Sequence, residues 1–257
     1  MSEGRPSFDR RLSASLVLVR HGESVWVAEG RFQGRRDPAL SALGERQAEL
    51  VGRRLAQPND GTPLPIPAGL PIGLWHSPLR RAADTAHAIA RLQPAEVPLV
   101  PAPGLIELAQ GEWEGLLHSE VRARWPEQLA RWRSAPTEAH APGGEPLLSA
   151  AVRVRSTLGD IFTALAAEPA ASDDPAAQPW AVIVAHDGIF RLALMALLEV
   201  PYERFWSFPF NLCAISVITL HEGAAALRAH NLSEHLTPLT IDERAAAEAR
   251  GDRRGAL

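Results

Sequence analysis

Short apolar runs that end in polar, chemically active residues are the clearest pattern along this chain. Leu16–Val19 is a run of four apolar residues, two of them β-branched, and Arg20 and His21 follow it directly. Trp180–Ala185 is a second such run, and it is followed by His186. Both runs predict buried strands. Because ligands of open α/β sheets bind beyond the carboxyl ends of the strands, Arg20, His21 and His186 are predicted to border a ligand-binding crevice.

Gly22 follows the first of these histidines. Because glycine has no Cβ, Gly22 would let the backbone turn sharply and come close to a ligand. A histidine at the end of a strand is by itself more often a structural residue than a functional one. The functional interpretation of His21 therefore depends on the rest of the chain.

A third predicted strand, Ile72–His76, leads into a helix that carries two arginines. Ser77 as N-cap with Pro78 at the first helical position predicts that this helix starts directly after the strand. Arg80 and Arg81 then lie in its first turns, near a helix N-terminus that favours anions. If the strands lie side by side, these arginines and the strand-end histidines form one pocket. Guanidinium groups in such a pocket match the oxygens of a phosphate group.

The remaining pattern alternates helices with short strands. Ser41 is a favourable N-cap, and the apolar face after it predicts a helix to about Leu55. Loops are predicted at Glu23–Pro38, at Gln57–Pro71 with its five prolines and two glycines, at Gly104–Gly115, at Pro136–Pro146 and at 168–179. The other predicted elements are strand Val97–Val100, helices Val121–Arg133, Leu147–Ala167 and 188–199, and a hairpin of strands Cys213–Leu220 and Ala224–His230.

Composition narrows the possible chemistry. All 26 basic residues are arginine, which excludes a lysine Schiff base and a lysine-bearing phosphate loop. The formal net charge of −4 gives no electrostatic reason to expect nucleic acid or an anionic membrane as a partner. Cys213 is the single cysteine, and we expect it to be a small core residue. Because it cannot form a disulfide within the chain, it suits a reducing compartment. Met1–Arg11 has no apolar signal region and no run is long enough to span a membrane, so we expect a cytoplasmic protein.

Paired histidines also suggest a metal site, and this alternative is rejected on the sequence. Zinc needs further ligands at short spacing, and the sequence contains neither His-x-x-x-His nor Cys-x-x-Cys. Arginines next to the histidines also disfavour a cation. We therefore expect no metal and no other cofactor. A pocket of imidazole and guanidinium groups without a lysine, a cysteine cluster or a carboxylate cluster suggests phosphoryl transfer with histidine as the nucleophile.

From Leu16 to Leu220 the chain resembles the histidine phosphatase superfamily, the phosphoglycerate mutase-like proteins. Five motifs in the family's order make this resemblance very specific. They are Arg20–Ser24 with Arg31, Gln33, Gly34, Asp37, Leu40 and Gly44; Ser77, Leu79, Arg81, Ala82, Thr85 and Ala86; Leu105 and Glu107 with Gly111 and Trp113–Leu116; Gly143–Glu145; and Val184–His186 with Gly188. The resemblance implies a three-layer α/β sandwich with a mostly parallel central sheet flanked by helices.

The resemblance also implies roles for individual residues. His21 would attack phosphorus and become phosphohistidine, Arg20, Arg81 and His186 would hold the phosphate oxygens, and Glu107 would be the proton donor. The second motif selects Arg81 over Arg80 as the phosphate ligand. The implied phosphate- or substrate-binding residues are Arg20, Ser24, Gln33, Gly34, Arg81, Glu107, His186 and Asp187.

Three positions depart from the family pattern. Val27 replaces a frequent asparagine, Pro146 replaces a frequent serine, and Asp187 replaces a glycine after the second histidine. Asp187 would either orient His186 or disfavour a substrate with a second phosphate. The cap-like segment, about residues 105–146, would set the substrate. Core packing is expected for Trp125 and Trp132, although they and Trp113 are also candidates for the wall of a substrate pocket.

We therefore predict a flexible lead-in at 1–14, a single catalytic domain at 15–239 and a C-terminal tail at 240–257. The predicted activity is metal-independent hydrolysis of a small phosphomonoester metabolite. A cofactor-dependent phosphoglycerate mutase and a non-catalytic phospho-ligand binder remain the alternatives. The expected partner is a small phosphorylated metabolite, with no nucleic acid and no membrane, and the dimers common in the family leave a homodimer open.

Overall fold

The computed structural model describes residues 11–168 and 177–239. Six strands lie in this part of the chain: β1 (Ala14–Arg20), β2 (Leu74–His76), β3 (Leu99–Pro101), β4 (Trp180–Ala185), β5 (Ile215–His221) and β6 (Ala224–Leu232). The α-helices are α1 (Val25–Glu29), α2 (Ala42–Ala56), α3 (Arg80–Leu92), α4 (His118–Arg124), α5 (Pro126–Ser134), α6 (Leu147–Ala167) and α7 (Asp187–Leu198). Short 3₁₀ turns occur at Pro103–Leu105, Gly111–Trp113, Tyr202–Ser207 and Glu234–Leu236.

All six strands form one sheet in the order β3-β2-β4-β1-β5-β6. The strands from β3 to β1 are paired in parallel, whereas β5 is antiparallel to both β1 and β6. The mostly parallel sheet is therefore confirmed, and so is the hairpin at its β6 edge. β4 lies between β2 and β1, which brings the ends of the three predicted functional strands together.

The residues of β1 alternate between two apolar cores, as the period of a strand requires. Leu16 and Leu18 pack in the core that contains most apolar residues of α6 and α7. Val17 and Val19 face the opposite side and pack with apolar residues of α2 and α3. Helices therefore cover both faces of the sheet, and the three-layer sandwich is confirmed.

Several element boundaries differ from the prediction for local reasons. A short helix, α1, lies in the predicted loop 23–38, because the Ser24 hydroxyl accepts a hydrogen bond from the Val27 N–H and Gly30 closes the turn with φ 72°. The predicted helix Val121–Arg133 is two helices, since Trp125 has non-helical dihedrals and Pro126 begins α5. Helix α6 has the predicted bounds.

Other predicted features are corrected or fall outside the described residues. Trp132 and Trp113 are buried in the core, so neither forms an open pocket wall, and Trp125 packs against the same core. Cys213 is buried, as expected. The predicted lead-in (apart from residues 11–14), most of the connection 168–179 and the predicted tail lie outside the described residues. None of the described helices has both the length and the apolar composition needed to cross a bilayer.

Candidate active site

The two strand-end histidines lie side by side. β1 and β4 are paired in parallel with Arg20 opposite Ala185, so the residues that follow, His21 and His186, occupy equivalent positions. Their ring centroids are 5.0 Å apart with an interplanar angle of 61°. Both side chains are buried. The sheet thus places two imidazoles next to each other at the carboxyl ends of its central strands.

A backbone contact fixes the tautomer of His21. Its Nδ1 lies 2.7 Å from the carbonyl oxygen of Gly22, and because a carbonyl oxygen only accepts, the proton resides on Nδ1. Burial lowers the pKa of His21 well below its ordinary value, and the nearby positive charges of Arg81 and Arg20 lower it further. At neutral pH the ring is therefore uncharged, and Nε2 carries a lone pair available for nucleophilic attack.

His186 is oriented by a hydroxyl group. Its Nε2 lies 2.7 Å from the Ser77 hydroxyl. That hydroxyl accepts a hydrogen bond from the Leu79 N–H at 3.3 Å and donates its own proton to Nε2, which leaves the proton of the neutral His186 ring on Nδ1. Ser77 is therefore not the side-chain cap that the sequence suggested. Helix α3 starts three residues later, at Arg80, and its N-cap makes no side-chain hydrogen bond. Burial, with Arg81 next, lowers the pKa of His186 well below its ordinary value.

Two arginines reach the histidines from different elements. The Arg20 guanidinium donates to the Phe210 carbonyl at 2.6 Å, and Arg81 donates to the carbonyls of Arg36 and Gly34 at 2.9 and 2.8 Å. Arg81 is fully buried, and this burial lowers its pKa to about 10, so it remains a cation at neutral pH. Arg80 is exposed. Of the two arginines at the start of α3, only Arg81 therefore faces the histidines.

Three buried nitrogens of this cluster have no hydrogen-bond partner among the described residues. They are Nε of Arg20, Nε of Arg81 and Nδ1 of His186. Buried polar groups are nearly always paired, and an unpaired donor costs about 1–3 kcal/mol. Unpaired donors on two guanidinium cations and on a neighbouring imidazole are suited to binding an anion with several oxygen atoms.

Glu107 completes the cluster from the loop after the 3₁₀ turn Pro103–Leu105. Its carboxyl group is buried and accepts from the N–H groups of Leu108 at 2.9 Å and Gly188 at 3.4 Å. Burial raises the pKa of Glu107, and the charge of Asp187 raises it further, while the Leu108 hydrogen bond, Arg81 and Arg20 act in the opposite direction. A carboxyl group with a raised pKa can supply a proton near neutral pH.

Gly22 has a packing role that the sequence did not indicate. A Cβ at this position would lie 2.5 Å from the carbonyl oxygen of Gly44 in α2. The missing side chain thus allows the end of β1 to pack against a helix, and the close approach of this backbone to a ligand stays a prediction.

The other predicted binding residues lie at the border of the cluster. The Ser24 hydroxyl donates to the side-chain oxygen of Gln33, and both residues are buried. Gly34 takes part through its carbonyl oxygen, which accepts from Arg81.

Asp187 lies near Glu107, and its carboxylate is hydrogen-bonded to Arg191 and not to His186. Its carboxylate forms a paired contact with Arg191 at 3.0 and 3.1 Å. Arg191 also donates to the Phe205 carbonyl and lies over the ring of Trp206. A hydrogen bond by which Asp187 would orient His186 is thus not present, because Nε2 of that ring contacts Ser77 and Nδ1 has no partner among the described residues. The effect of Asp187 on a second phosphate stays a prediction.

Some contacts at the site have no signal in the sequence considered alone. The Ser77 contact with His186 joins residues 109 positions apart, and the local pattern around Ser77 indicated a cap instead. Gly188 is needed because a Cβ there would lie 2.7 Å from the Glu107 carboxyl group. Among the described residues, no group of three or more His, Cys, Asp or Glu side chains is placed to hold a metal ion.

Comparisons with known proteins extend these observations. The family model described as histidine phosphatase superfamily (branch 1) matches residues 16–233. Phosphoserine phosphatase 1 of Hydrogenobacter thermophilus is 32% identical over 230 residues, which cover 88% of this chain and 96% of that protein. Glucosyl-3-phosphoglycerate phosphatase of Mycobacterium tuberculosis is 32% identical over 196 residues, covering 74% and 78% of the two chains.

A mutase is also among the relatives. The 2,3-bisphosphoglycerate-dependent phosphoglycerate mutase of Bartonella henselae is 34% identical over 146 residues, 56% of this chain and 66% of that one. Among solved structures, the mycobacterial glucosyl-3-phosphoglycerate phosphatase in complex with VO3 has a TM-score of 0.71 and 27% identity, covering 85% of this chain and 99% of that one. Mycobacterial hydrolase 2 has a TM-score of 0.74 and 26% identity, covering 93% and 98%.

Proposed function

The chain belongs to the histidine phosphatase superfamily, and we propose that it hydrolyses a small phosphomonoester without a metal ion, through a phosphohistidine formed on His21. One observation carries the assignment of the site. Three buried donor nitrogens, of Arg20, Arg81 and His186, have no partner among the described residues and belong to the cluster around His21. A phosphoryl group would satisfy them with its oxygens, and its phosphorus atom would face His21 Nε2.

The first chemical step transfers the phosphoryl group to the enzyme. His21 Nε2 attacks phosphorus, a P–N bond forms, and the P–O bond to the leaving group breaks on the opposite side. The guanidinium groups of Arg20 and Arg81 and the Nδ1–H of His186 stabilise the charge on the phosphoryl oxygens. Protonated Glu107 gives its proton to the leaving oxygen, so that an alcohol departs instead of an alkoxide.

The second step releases phosphate. A water molecule attacks the phosphohistidine and passes a proton to the Glu107 carboxylate, the P–N bond breaks, and inorganic phosphate leaves. The hydrogen bond from His21 Nδ1 to the Gly22 carbonyl stabilises the positive charge that the ring carries while it is phosphorylated. The cycle ends with His21 neutral and Glu107 protonated.

The experiment that tests this proposal measures phosphate release from phosphate monoesters in the presence of EDTA. Wild type is compared with His21→Ala and with His221→Ala, an exposed histidine beside the opposite end of β1. We expect metal-independent release that is lost in His21→Ala and kept in His221→Ala. Release that survives His21→Ala would contradict the proposal. Tight binding of phosphate with no turnover on any ester would indicate a binding protein instead.

The substrates in the names of the relatives define the first compounds to test. Phosphoserine and glucosyl-3-phosphoglycerate are the substrates named for two of them, and both are phosphate esters of hydroxy acids. The mutase alternative is supported by the relative from Bartonella henselae. Interconversion of 2- and 3-phosphoglycerate by bisphosphoglycerate-primed enzyme, faster than phosphate release, would favour the mutase.

The location and the assembly state are further parts of the proposal. A cytoplasmic location is supported by the buried, unpaired Cys213, which suits a reducing compartment. A homodimer is supported only by the resemblance to the family. Sedimentation equilibrium of the purified protein would decide between a monomer and a dimer.

A further inference from the structure

Arg153 of α6 carries a partly buried guanidinium that is not part of the catalytic cluster described above. It donates to the carbonyl oxygens of Gly104 at 2.7 Å, Ile106 at 2.5 Å and Glu107 at 3.4 Å. Its side chain is 20% exposed. One side chain therefore holds three backbone carbonyls of the segment that presents Glu107, from a position 46 residues further along the chain.

The segment around Glu107 has little regular structure of its own. The 3₁₀ turn ends at Leu105, and no helix or strand includes residues 106–110. Backbone that lacks a helical or sheet ladder needs other partners for its buried carbonyl groups. The contacts of Arg153 supply these partners, and the fixed fork geometry of a guanidinium restricts the backbone to one position.

Glu145 fixes the orientation of this guanidinium. Its carboxylate accepts from Nε of Arg153 at 3.0 Å and from Nη2 at 2.7 Å, and its backbone N–H donates to the carbonyl of Ala109 at 2.9 Å. The same carboxylate contacts the Arg35 guanidinium at 3.0 Å. Glu145 is thus joined both to the arginine and to the segment that the arginine holds.

We propose that Arg153, oriented by Glu145, is a positioning residue for the proton donor. It fixes the backbone on which Glu107 is mounted, so that the carboxyl group stays in line with the leaving oxygen. This inference rests on the proposed function, because it assigns Glu107 the role of proton donor. The hydrogen bonds of Arg153 go to backbone carbonyls and to Glu145, and its charge lowers the pKa of His186 less than burial does.

The leaving group distinguishes positioning from general stability. An alkyl phosphate releases a poor leaving group that needs the proton of Glu107, whereas p-nitrophenyl phosphate releases a phenolate that departs without it. Displacing a proton donor slows only the first of these reactions. Loss of fold or of phosphate binding would slow both.

The test is a rapid-quench measurement of His21 phosphorylation with phosphoserine and of p-nitrophenol release in the first turnover. Arg153→Lys keeps the charge but cannot bridge Glu145 and three carbonyls. We expect phosphorylation by phosphoserine to slow about 10- to 100-fold, with little change in the p-nitrophenol burst. Glu107→Gln should give the same selectivity with a larger loss. Arg155→Lys is the matched control, since Arg155 lies on the same helix and donates to the Tyr202 hydroxyl.

Each outcome has a separate meaning. Equal slowing of both reactions in Arg153→Lys, or no slowing of either, would overturn the inference. If Arg153→Lys does not fold, Glu145→Gln must show the same selective loss for the inference to stand, and failure to show it counts against the inference. A wild-type enzyme that is not phosphorylated by any alkyl ester would instead overturn the proposed function.

Discussion

His21 and His186 meet edge to face at 5.0 Å, at the ends of two strands that are hydrogen-bonded in parallel. Both rings are buried beside Arg20 and Arg81, and for both the pKa is lowered well below the ordinary value of 6.5. Two neutral imidazoles therefore lie near two guanidinium cations, whose charges help to keep the rings neutral. In the proposed mechanism His21 is the nucleophile and His186 is a hydrogen-bond donor.

The pH dependence of kcat/KM on an alkyl phosphate should be bell-shaped. As pH falls, His21 gains a proton and loses its lone pair, but only below the ordinary range of histidine because its pKa is lowered. As pH rises, Glu107 loses the proton that it must donate, at a pH above the ordinary carboxyl range because its pKa is raised. Initial rates measured across the pH range test this. With p-nitrophenyl phosphate, whose leaving group needs no proton, the decrease in the rate of the phosphorylation step at alkaline pH should disappear.

Ser77→Ala should lower kcat about tenfold, equivalent to about 1.4 kcal/mol. The substitution removes the hydroxyl that orients His186 and leaves Nε2 of that ring buried without a partner. Ser77→Thr, which keeps the hydroxyl, should recover part of the loss. Ser134→Ala, an exposed serine on α5, is the control. An unchanged kcat in Ser77→Ala would show that the contact does not orient the ring.

Asp187→Ala should destabilise the fold by about 3–5 kcal/mol, because it leaves the Arg191 guanidinium buried without its carboxylate. Replacing both partners, as in Asp187→Ala with Arg191→Met, should recover most of this loss. Glu49→Ala, which breaks an exposed pair with Arg91, should cost at most about 1 kcal/mol. Urea unfolding measures all three. A changed substrate preference without loss of stability would indicate that Asp187 acts on the substrate instead.

The stability of Glu107→Gln relative to the wild type should increase as pH rises above about 4.5. The pKa of Glu107 is raised in the folded state. At a pH above the ordinary pKa of 4.5, the unfolded chain therefore releases this proton while the folded protein still holds it. The wild type therefore loses stability as pH rises from about 4.5 to the raised folded pKa, whereas the neutral amide does not. Thermal unfolding of both proteins at acidic and neutral pH measures the difference. An equal difference at every pH would contradict this explanation.

Much of the site could be predicted because its residues follow strong strand patterns. Leu16–Val19 and Trp180–Ala185 are short apolar runs, and an α/β sheet places the residues after such runs at one edge. Helix α6 was predicted to its exact bounds because its apolar positions repeat over 21 residues. The motifs of the family resemblance added Glu107 and selected Arg81.

The remaining features depend on contacts between distant parts of the chain. Ser77 satisfies the local rules for an N-cap, but its hydroxyl binds His186, and this tertiary contact outweighs the capping preference. The role of Gly22 depends on the position of α2. The contacts of Arg153 likewise cannot be predicted from local periodicity, because an arginine on a helix usually faces solvent.

The position of β4 between β1 and β2 has a consequence for how the molecule folds. These two strands come early in the chain, yet neither can complete its hydrogen bonds until a strand from much later in the chain enters between them. Such long-range pairing is slow compared with helix formation. We therefore expect the pocket around His21 and His186 to form late, when β4 is inserted. In refolding experiments, vanadate binding should lag behind the recovery of helical circular dichroism, which makes the ligand a reporter of the final closure of the sheet.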